Sequence, residues 1–184
     1  MALISLPPDL MRRVDSFDAL VDARVESMRG NKPADLLFYG LSQAGDFSVI
    51  WHLLGWGSAL RNRQLLRSAA HLSMALGVES ALVNGLIKSL FRRERPDWDQ
   101  NRPRHLRQPK SSSFPSGHAS SAFMAARLLG RTVGHPVALH GLAALVAYSR
   151  SHVRIHHASD VAGGIVTGAL LGQVATKVFD RLKL

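Results

Sequence analysis

Apolar and polar positions divide the chain into two regions with different patterns. In residues 8–30, apolar side chains recur at steps of three and four among Arg and Asp. This spacing predicts an amphipathic helix with one apolar face. Two interpretations of that face are equally favoured: the helix packs on the rest of the domain, or it lies on a membrane surface. The helix is expected to end at Asn31-Lys32-Pro33.

After this helix, charges become sparse over long stretches, which predicts a bundle of apolar helices. Five helices are expected, near residues 36–58, 65–91, 116–133, 137–149 and 158–180. A spanning helix needs about 20 mostly apolar residues, and the first two and the last of these stretches are long enough. Their many glycines suit close helix contacts in lipid. We therefore predict an all-α fold, a helical bundle of about five membrane-embedded core helices plus the N-terminal amphipathic helix.

Composition limits the alternatives. The 184 residues are enough for one domain with its own core. We expect a single domain over 1–184, with the amphipathic helix in 1–33 and the bundle in 34–184. Mean hydropathy is only +0.03, which is low for a polytopic membrane protein, so a soluble bundle with buried helices stays open. The chain has no cysteine, which excludes disulfides and cysteine nucleophiles.

The formal net charge of +10 calls for an anionic partner, such as nucleic acid, an acidic membrane surface or a phosphorylated substrate. Nucleic-acid binding favours aromatic residues interleaved with basic ones on an exposed face. Because Trp51, Trp56 and Trp98 are scattered, we expect no nucleic-acid partner; a non-catalytic basic membrane protein is a further alternative. Met1 to Gly30 lacks the pattern of a secretory signal, so the chain is expected to begin in the cytoplasm.

Three short blocks carry residues suited to phosphate chemistry. In chain order they are Lys88-x6-Arg95-Pro96, Pro115-Ser116-Gly117-His118 and Ser149-Arg150-x5-His156-x3-Asp160. The planar fork of an arginine pairs two phosphate oxygens at once and keeps its charge. We expect Lys88, Arg95 and Arg150 to meet in one phosphate cradle. Taken alone, Lys88 would also fit a lysine that extends its charge to a membrane boundary.

The second block predicts a helix start that faces an anion. Pro115 stops the preceding chain, and Ser116 is a good N-cap. Gly117 lets backbone amides approach an oxyanion closely, and the free N–H groups of a helix start favour phosphate. His118 in the first turn can then point at the same anion. An ordinary capped helix with an exposed histidine would give the same pattern.

The third block pairs His156 with Asp160. If residues 156–160 are helical, their spacing puts both side chains on one face. An aspartate that accepts a hydrogen bond from Nδ1 leaves Nε2 free to attack phosphorus and stabilises positive charge on the ring. A His–Asp side-chain pair on one helix with no catalytic role is the simpler interpretation. A metal site with His152 and His157 is disfavoured, since the nearby arginines repel a cation.

In order and spacing, the three blocks resemble the type 2 phosphatidic acid phosphatase superfamily, which contains lipid phosphatases and vanadium haloperoxidases. The likeness covers roughly residues 80–165. It implies that His156 attacks phosphorus, that Asp160 orients it, and that His118 protonates the leaving group and later activates water. The residues implied to bind phosphate oxygens are Lys88, Arg95, Ser116, Gly117 and Arg150. No cofactor and no metal is implied.

The resemblance predicts a metal-independent phosphatase that hydrolyses a membrane lipid phosphate or diphosphate, polyprenyl or glycerol-based, through a phosphohistidine. A vanadate-dependent haloperoxidase-like or soluble acid phosphatase activity is the alternative, although haloperoxidases are typically much longer chains. Loop 97–110 carries four cations that could gather anionic headgroups, Arg102, Arg104, Arg107 and Lys110. We expect a multi-pass protein of the cell membrane, and the positive-inside rule favours an active site on the cytoplasmic side.

Overall fold

The computed structural model describes residues 7–97, 103–104, 106–107 and 109–183, and these residues form helices and no strand. The helices are α1 (Pro8–Glu26), α2 (Lys32–Ala44), α3 (Val49–Arg61), α4 (Leu66–Ser80), α5 (Lys88–Leu90), α6 (Gly117–Thr132), α7 (Pro136–His152) and α8 (Ala158–Leu182). A π-helical stretch, Ala81–Ile87, joins α4 to α5, so Arg63–Leu90 is one continuous helix. The predicted all-α fold is confirmed.

The single helix predicted near 36–58 is wrong, because the chain turns between α2 and α3. Phe47 and Ser48 have φ values of 52° and 58°, a left-handed conformation that a helix cannot contain. The chain therefore leaves α2, which packs on α7, and enters α3, which packs on α4. The 13 residues of α3 extend for only about 20 Å. Apolar periodicity continues through the turn, and for that reason the break was not visible in the sequence.

The centre of the bundle is α6, which packs against α4, α7 and α8. Small residues on α6 and glycines on α8 let their backbones meet. A Cβ atom at Gly168 would lie 2.1 Å from the carbonyl oxygen of Ser120, and one at Gly164 would lie 2.4 Å from that of Ser116. The expectation of close contacts fails at Gly57, Gly77 and Gly85. In the described part of the chain, no neighbouring atom lies within 4 Å of a Cβ built at any of these positions.

The outer surface of the bundle is apolar over much of α3, α4 and α8. Its exposed large side chains include Leu53, Leu60, Met74, Val78, Leu86, Val166, Leu170, Val174 and Val178. Two helices, Arg63–Leu90 and Ala158–Leu182, are long and apolar enough to cross a membrane. An apolar surface of this extent is unfavourable in water and is what contact with lipid requires.

Helix α1 packs on α7 and α8 through polar contacts as well as the buried Val25. The buried carboxylate of Asp18 accepts a hydrogen bond from the backbone N–H of Ser159 at 2.7 Å. The guanidinium of Arg29, just beyond α1, donates to backbone carbonyls at the end of α7. Phe17 and Leu20 remain 47% and 59% exposed. The helix is therefore docked on the domain and still presents apolar side chains to its surroundings.

Candidate active site

Four helix ends meet around one cavity of about 450 Å³. The helix through α4 and α5 ends there with Lys88, α6 begins with Gly117 and His118, and α7 ends near Arg150. His156 reaches the cavity from the turn before α8. The three sequence blocks thus converge at one end of the bundle, because each block lies where a core helix begins or ends.

His156 is 3% exposed, with one ring nitrogen directed to a carboxylate and the other to a cation. Its Nδ1 lies 3.7 Å from Asp160 Oδ2, too far for the direct hydrogen bond that was expected. Ser113 lies between them: its hydroxyl donates to Asp160 Oδ2 at 2.6 Å and is 3.4 Å from His156 Nδ1. Nε2 lies 3.3 Å from Arg95 Nη1.

The condition for a helical pairing of His156 and Asp160 is not met, because α8 begins only at Ala158. Asp160 is instead the third residue of this helix and the side-chain partner of its N-cap, His157. Its Oδ2 accepts a hydrogen bond from the backbone N–H of His157 at 2.9 Å, which completes a capping box. The turn before the helix bends His156 back toward the same carboxylate. The pair is therefore formed by the third residue of α8 and the residue that precedes its N-cap, His157.

The surroundings of His156 favour its neutral form. Burial lowers the pKa of the imidazole well below its usual 6.5; Asp160 opposes this shift, and the charges of Arg150 and Arg95 add to it. A neutral ring keeps a lone pair for attack on phosphorus. The environment thus suits a nucleophile that is active near neutral pH.

Arg150 lines the cavity and Arg95 adjoins it at His156 Nε2, and both are held in fixed orientations. Arg95 donates to the backbone carbonyls of Ile155 at 2.9 Å and of Ser111 and Ser112 at 3.1 Å each. Arg150, 2% exposed, donates to the hydroxyl of Ser42. Several buried or half-buried cations around one cavity are unfavourable unless an anion binds between them.

The start of α6 has the predicted local structure. Ser116 is its N-cap, and its hydroxyl accepts a hydrogen bond from the backbone N–H of Ala119 at 3.5 Å. The backbone N–H of Ser116 donates to the carbonyl of Asp160 at 2.9 Å, which ties the start of α6 to the start of α8. Gly117 lines the cavity, so the N-terminal end of α6 faces the space between the cations.

His118 has an acidic partner that the sequence did not indicate. Its Nε2 lies 3.0 Å from Asp46 Oδ1 and 3.2 Å from the carbonyl oxygen of Ser42. Asp46 belongs to the turn between α2 and α3. Burial favours its neutral form, but the hydrogen bond with His118 and the charge of Arg150 hold the pKa of Asp46 below its usual 3.8. The turn that interrupts the predicted helix therefore brings a carboxylate to His118.

Residues 68–183 match the family model of the PAP2 superfamily. Over 174 residues the chain is 35% identical to decaprenylphosphoryl-5-phosphoribose phosphatase of Mycobacterium tuberculosis, with 92% of this chain and 94% of that protein covered. The chain belongs to the PAP2 superfamily. The relative of the same name in Mycolicibacterium smegmatis is 34% identical, with 67% of each chain covered. The family predicted from the three blocks is confirmed, and this PAP2 protein is a phosphatase.

Solved structures share the fold of this PAP2 protein. A transmembrane PAP2 type phosphatidylglycerolphosphate phosphatase from Bacillus subtilis superposes with a TM-score of 0.71 at 23% identity, covering 92% of this chain and 87% of that one. LpxE from Aquifex aeolicus superposes with a TM-score of 0.69 at 24% identity, covering 86% and 94%. The apolar outer surface and the two long apolar helices among the described residues fit a membrane protein of this fold.

Arg93 is a second residue of the site that sequence reasoning missed. Its guanidinium donates to Asp160 Oδ1 at 2.7 Å and to Asp18 Oδ2 at 2.5 Å. It thereby links α1 to the carboxylate behind His156. Arg93 lies inside the first block but at a position that the motif leaves free, so its spacing gave no signal.

The other histidines of the third block do not converge on the cavity. His152 Nε2 pairs with Asp35 on α2 at 2.8 Å, and His157 is the N-cap of α8. In loop 97–110, Arg102 lies outside the described residues. Arg107 lines the cavity, with its guanidinium 4.8 Å from the centre of the Phe47 ring. This contact places one of the predicted headgroup-gathering cations over the turn that carries Asp46.

Proposed function

We propose that this PAP2 protein hydrolyses a phosphate or diphosphate carried by a membrane lipid, with His156 as the nucleophile. One observation carries the proposal: the buried, neutral imidazole of His156 faces a cavity that it shares with His118 and with a set of cations. A nucleophile, a second histidine and fixed positive charge are what phosphoryl transfer needs.

In the proposed first step, Nε2 of His156 attacks phosphorus, a P–N bond forms, and the bond to the leaving oxygen breaks. His118 donates the proton that this oxygen takes up. Asp160 stabilises the positive charge on the attacked ring, with Ser113 between the two groups. In the second step His118 takes a proton from water, whose oxygen attacks phosphorus and releases phosphate and neutral His156. No metal or cofactor enters either step.

The proposed phosphate cradle consists of side chains from the first and third blocks and the start of α6. Lys88, Arg95 and Arg150 supply fixed or buried positive charge, and Gly117 presents backbone beside the cavity. Ser116 holds the helix start in place as its cap and presents the end of α6 to the oxygens. Donors fixed in position before the reaction stabilise charge that develops on phosphorus-bound oxygens.

We infer a lipid substrate from the surface that surrounds the cavity. The outer faces of α3 and α4 are apolar, and both helices contribute residues to the cavity. A polyprenyl or acyl chain could stay in the bilayer while its phosphate enters. The relative of Mycobacterium tuberculosis is named for a decaprenyl-linked substrate, which favours a polyprenyl chain over a diacylglycerol.

Phosphate release from purified protein tests this function. The panel comprises phosphatidate, phosphatidylglycerol phosphate, a polyprenyl diphosphate and a polyprenylphosphoryl phosphoribose. His156→Ala is expected to abolish both turnover and the labelled phosphoenzyme. His140→Ala is the matched control, since His140 is exposed on α7 and, among the described residues, its side chain hydrogen-bonds the carbonyl of Pro136, away from the cavity. If folded wild-type protein released phosphate from none of these lipids, the proposal would fail.

We further propose a multi-pass arrangement with the site on the cytoplasmic side. Helix α1 packs on α7 and α8 beside the site. This helix and the residues after it carry cations outside the motifs, namely Arg12, Arg13, Arg24, Arg29 and Lys32, for which the positive-inside rule favours the cytoplasm. Ser111→Cys reports on the site end, and Gln64→Cys on the opposite end; both side chains are exposed. A membrane-impermeant thiol reagent should label only Cys at position 64 in intact cells. The reverse labelling would place the site outside.

A further inference from the structure

The cavity continues beyond the phosphate cradle to a second group of polar side chains. These come from α3, from the continuous helix Arg63–Leu90 and from α6; we call them the polar wall: His52, Ser73, Glu79, Ser80, Asn84 and Ser121. None of them belongs to the three sequence blocks. The proposed reaction assigns them no task.

Glu79 is the least expected member of the polar wall. It is 2% exposed, and its Oε1 atom has no hydrogen-bond partner among the described residues. It also lies inside Arg63–Leu90, one of the two helices fit to span a membrane. A buried carboxylate oxygen without a partner is costly, and an ionisable group at membrane depth marks a functional site by default. Ser120 and the charged Lys88 interact with the same carboxyl group, and Oε1 is available to a group that enters the cavity.

The rest of the polar wall is held in place by bonds among its own members and their neighbours. Ser73 Oγ lies 3.0 Å from His52 Nδ1 and receives a hydrogen bond from Trp56 Nε1 at 3.1 Å. Asn84 Nδ2 donates to Ser80 Oγ at 3.1 Å. Asn84 belongs to the π-helical stretch Ala81–Ile87, and such stretches frequently occur at functional sites.

The chemistry of the polar wall differs from that of the cradle. A carboxylate repels a phosphate dianion, so Glu79 cannot hold the scissile group. Glu79 can accept a hydrogen bond from a hydroxyl. The side-chain amide of Asn84 and the hydroxyl of Ser121 can each donate and accept hydrogen bonds. Several adjacent groups of this kind suit a ligand that carries several hydroxyls.

We propose that the polar wall binds the hydroxyl groups of a sugar or polyol that bears the scissile phosphate. This inference rests on the proposed function and narrows its substrate class to lipid-linked sugar or polyol phosphates. A substrate without such hydroxyls leaves buried polar groups unpaired. Its kcat/KM is therefore much lower than that of a substrate that pairs them. The cavity of about 450 Å³ falls in the size range of small-molecule sites.

A comparison of three substrates tests the inference. They are a polyprenylphosphoryl phosphoribose, with two hydroxyls on the sugar, phosphatidylglycerol phosphate, with one, and phosphatidate, with none. Glu79→Gln should lower kcat/KM about 10- to 100-fold for the sugar substrate, since a hydrogen bond to a charged group is lost. For phosphatidate kcat/KM should stay within about twofold, and the glycerol phosphate should show an intermediate loss.

Two further variants keep the result interpretable. Asn84→Ala changes an exposed member of the wall and should show the same selectivity even if Glu79→Gln does not fold. Asp180→Asn makes the same acid-to-amide change at an exposed ion pair with Arg131 and should leave the three rates unchanged. An equal loss on all substrates, or no loss on any, would overturn the inference. If wild-type protein hydrolyses none of the three, the proposed function itself fails.

Discussion

At the scale of single residues, the site consists of two histidines, each held by a different acidic group. His156 faces Asp160 across the hydroxyl of Ser113, whereas His118 lies 3.0 Å from Asp46. Asp160 follows His156 closely in the chain, and the pattern predicted their association. Asp46 lies far upstream in a region with no motif, and only the turn between α2 and α3 brings it to His118.

Asp46→Asn should slow turnover more than it weakens substrate binding. The anion beside His118 favours the protonated ring that a general acid needs, and general acid–base catalysis typically contributes about 10²–10⁴-fold. We expect kcat to fall at least about tenfold, with a smaller effect on diphosphates, whose leaving groups need less protonation. Steady-state kinetics should be compared with those of Asp35→Asn, which removes the acidic partner of His152 outside the cavity. Equal losses in both variants would indicate a structural effect alone.

The pH dependence of kcat/KM should reflect the buried state of His156. The attacking form is neutral, and activity is lost as pH falls through the pKa of the folded protein. Because burial and nearby arginines lower that pKa well below 6.5, the acid limb of the profile should lie below pH 6.5. An acid limb at or above this value, measured with a substrate of constant charge, would contradict the proposed environment.

At the scale of helices, the position of the site depends on how closely α6 and α8 approach. The N-terminal ends of these two helices carry His118 and Asp160, and the bond from Ser116 N to Asp160 O joins them. Glycines on α8 allow the contact to continue down the bundle. The sequence indicated that its glycines suit close packing but did not indicate which of them lie in a contact.

Gly168→Ala should destabilise the protein, since the new methyl group would lie 2.1 Å from the backbone oxygen of Ser120. Forcing an extra methyl group into a packed interface costs about 1–3 kcal/mol. Gly141→Ala on α7 is the control: no neighbouring atom of the described residues lies within 4 Å of its missing Cβ, and alanine favours helix. Thermal unfolding in detergent should show a lower Tm for Gly168→Ala only. A Tm equal to that of wild type would contradict the close contact.

At the scale of the whole molecule, a polar, cationic cavity lies at one end of a bundle whose helices α3, α4 and α8 have apolar outer faces. Three of the five predicted core helices, over 116–133, 137–149 and 158–180, correspond to α6, α7 and α8. The helix predicted over 65–91 corresponds to the continuous helix Arg63–Leu90. The remaining predicted helix, near 36–58, is divided into α2 and α3. The turn between them lines the cavity with Asp46, Phe47 and Ser48, which an unbroken helix could not do.

Activity of the intact protein is expected to survive treatment with EDTA, because arginine and lysine side chains occupy the place of a metal in the proposed cradle. Vanadate should inhibit, since it adopts the five-coordinate geometry of phosphorus under attack and binds as a transition-state analogue. Phosphate release measured with EDTA, with added Mg²⁺ and with vanadate checks both expectations. Strict dependence on added Mg²⁺ would contradict the mechanism.

The sequence by itself determined the helical class, the family and the residues of the three blocks. Helix periodicity and motif spacing are local properties, so they can be recognised without knowing which distant segments meet. It also predicted that the blocks converge, because each lies near the end of an apolar stretch. The N-cap at Ser116 was likewise readable, since it depends on residues within one turn.

Only the tertiary structure decided how the catalytic groups are partnered. Asp46 beside His118, Ser113 between His156 and Asp160, and Arg93 between Asp160 and Asp18 all join segments that are distant in the chain. The left-handed turn at Phe47 and Ser48 interrupts a stretch whose composition favours continuous helix. Local propensity is a weak preference that packing overrides, and long-range contacts leave no periodic signal. For the same reason the polar wall, formed by three helices, is visible only in the folded protein.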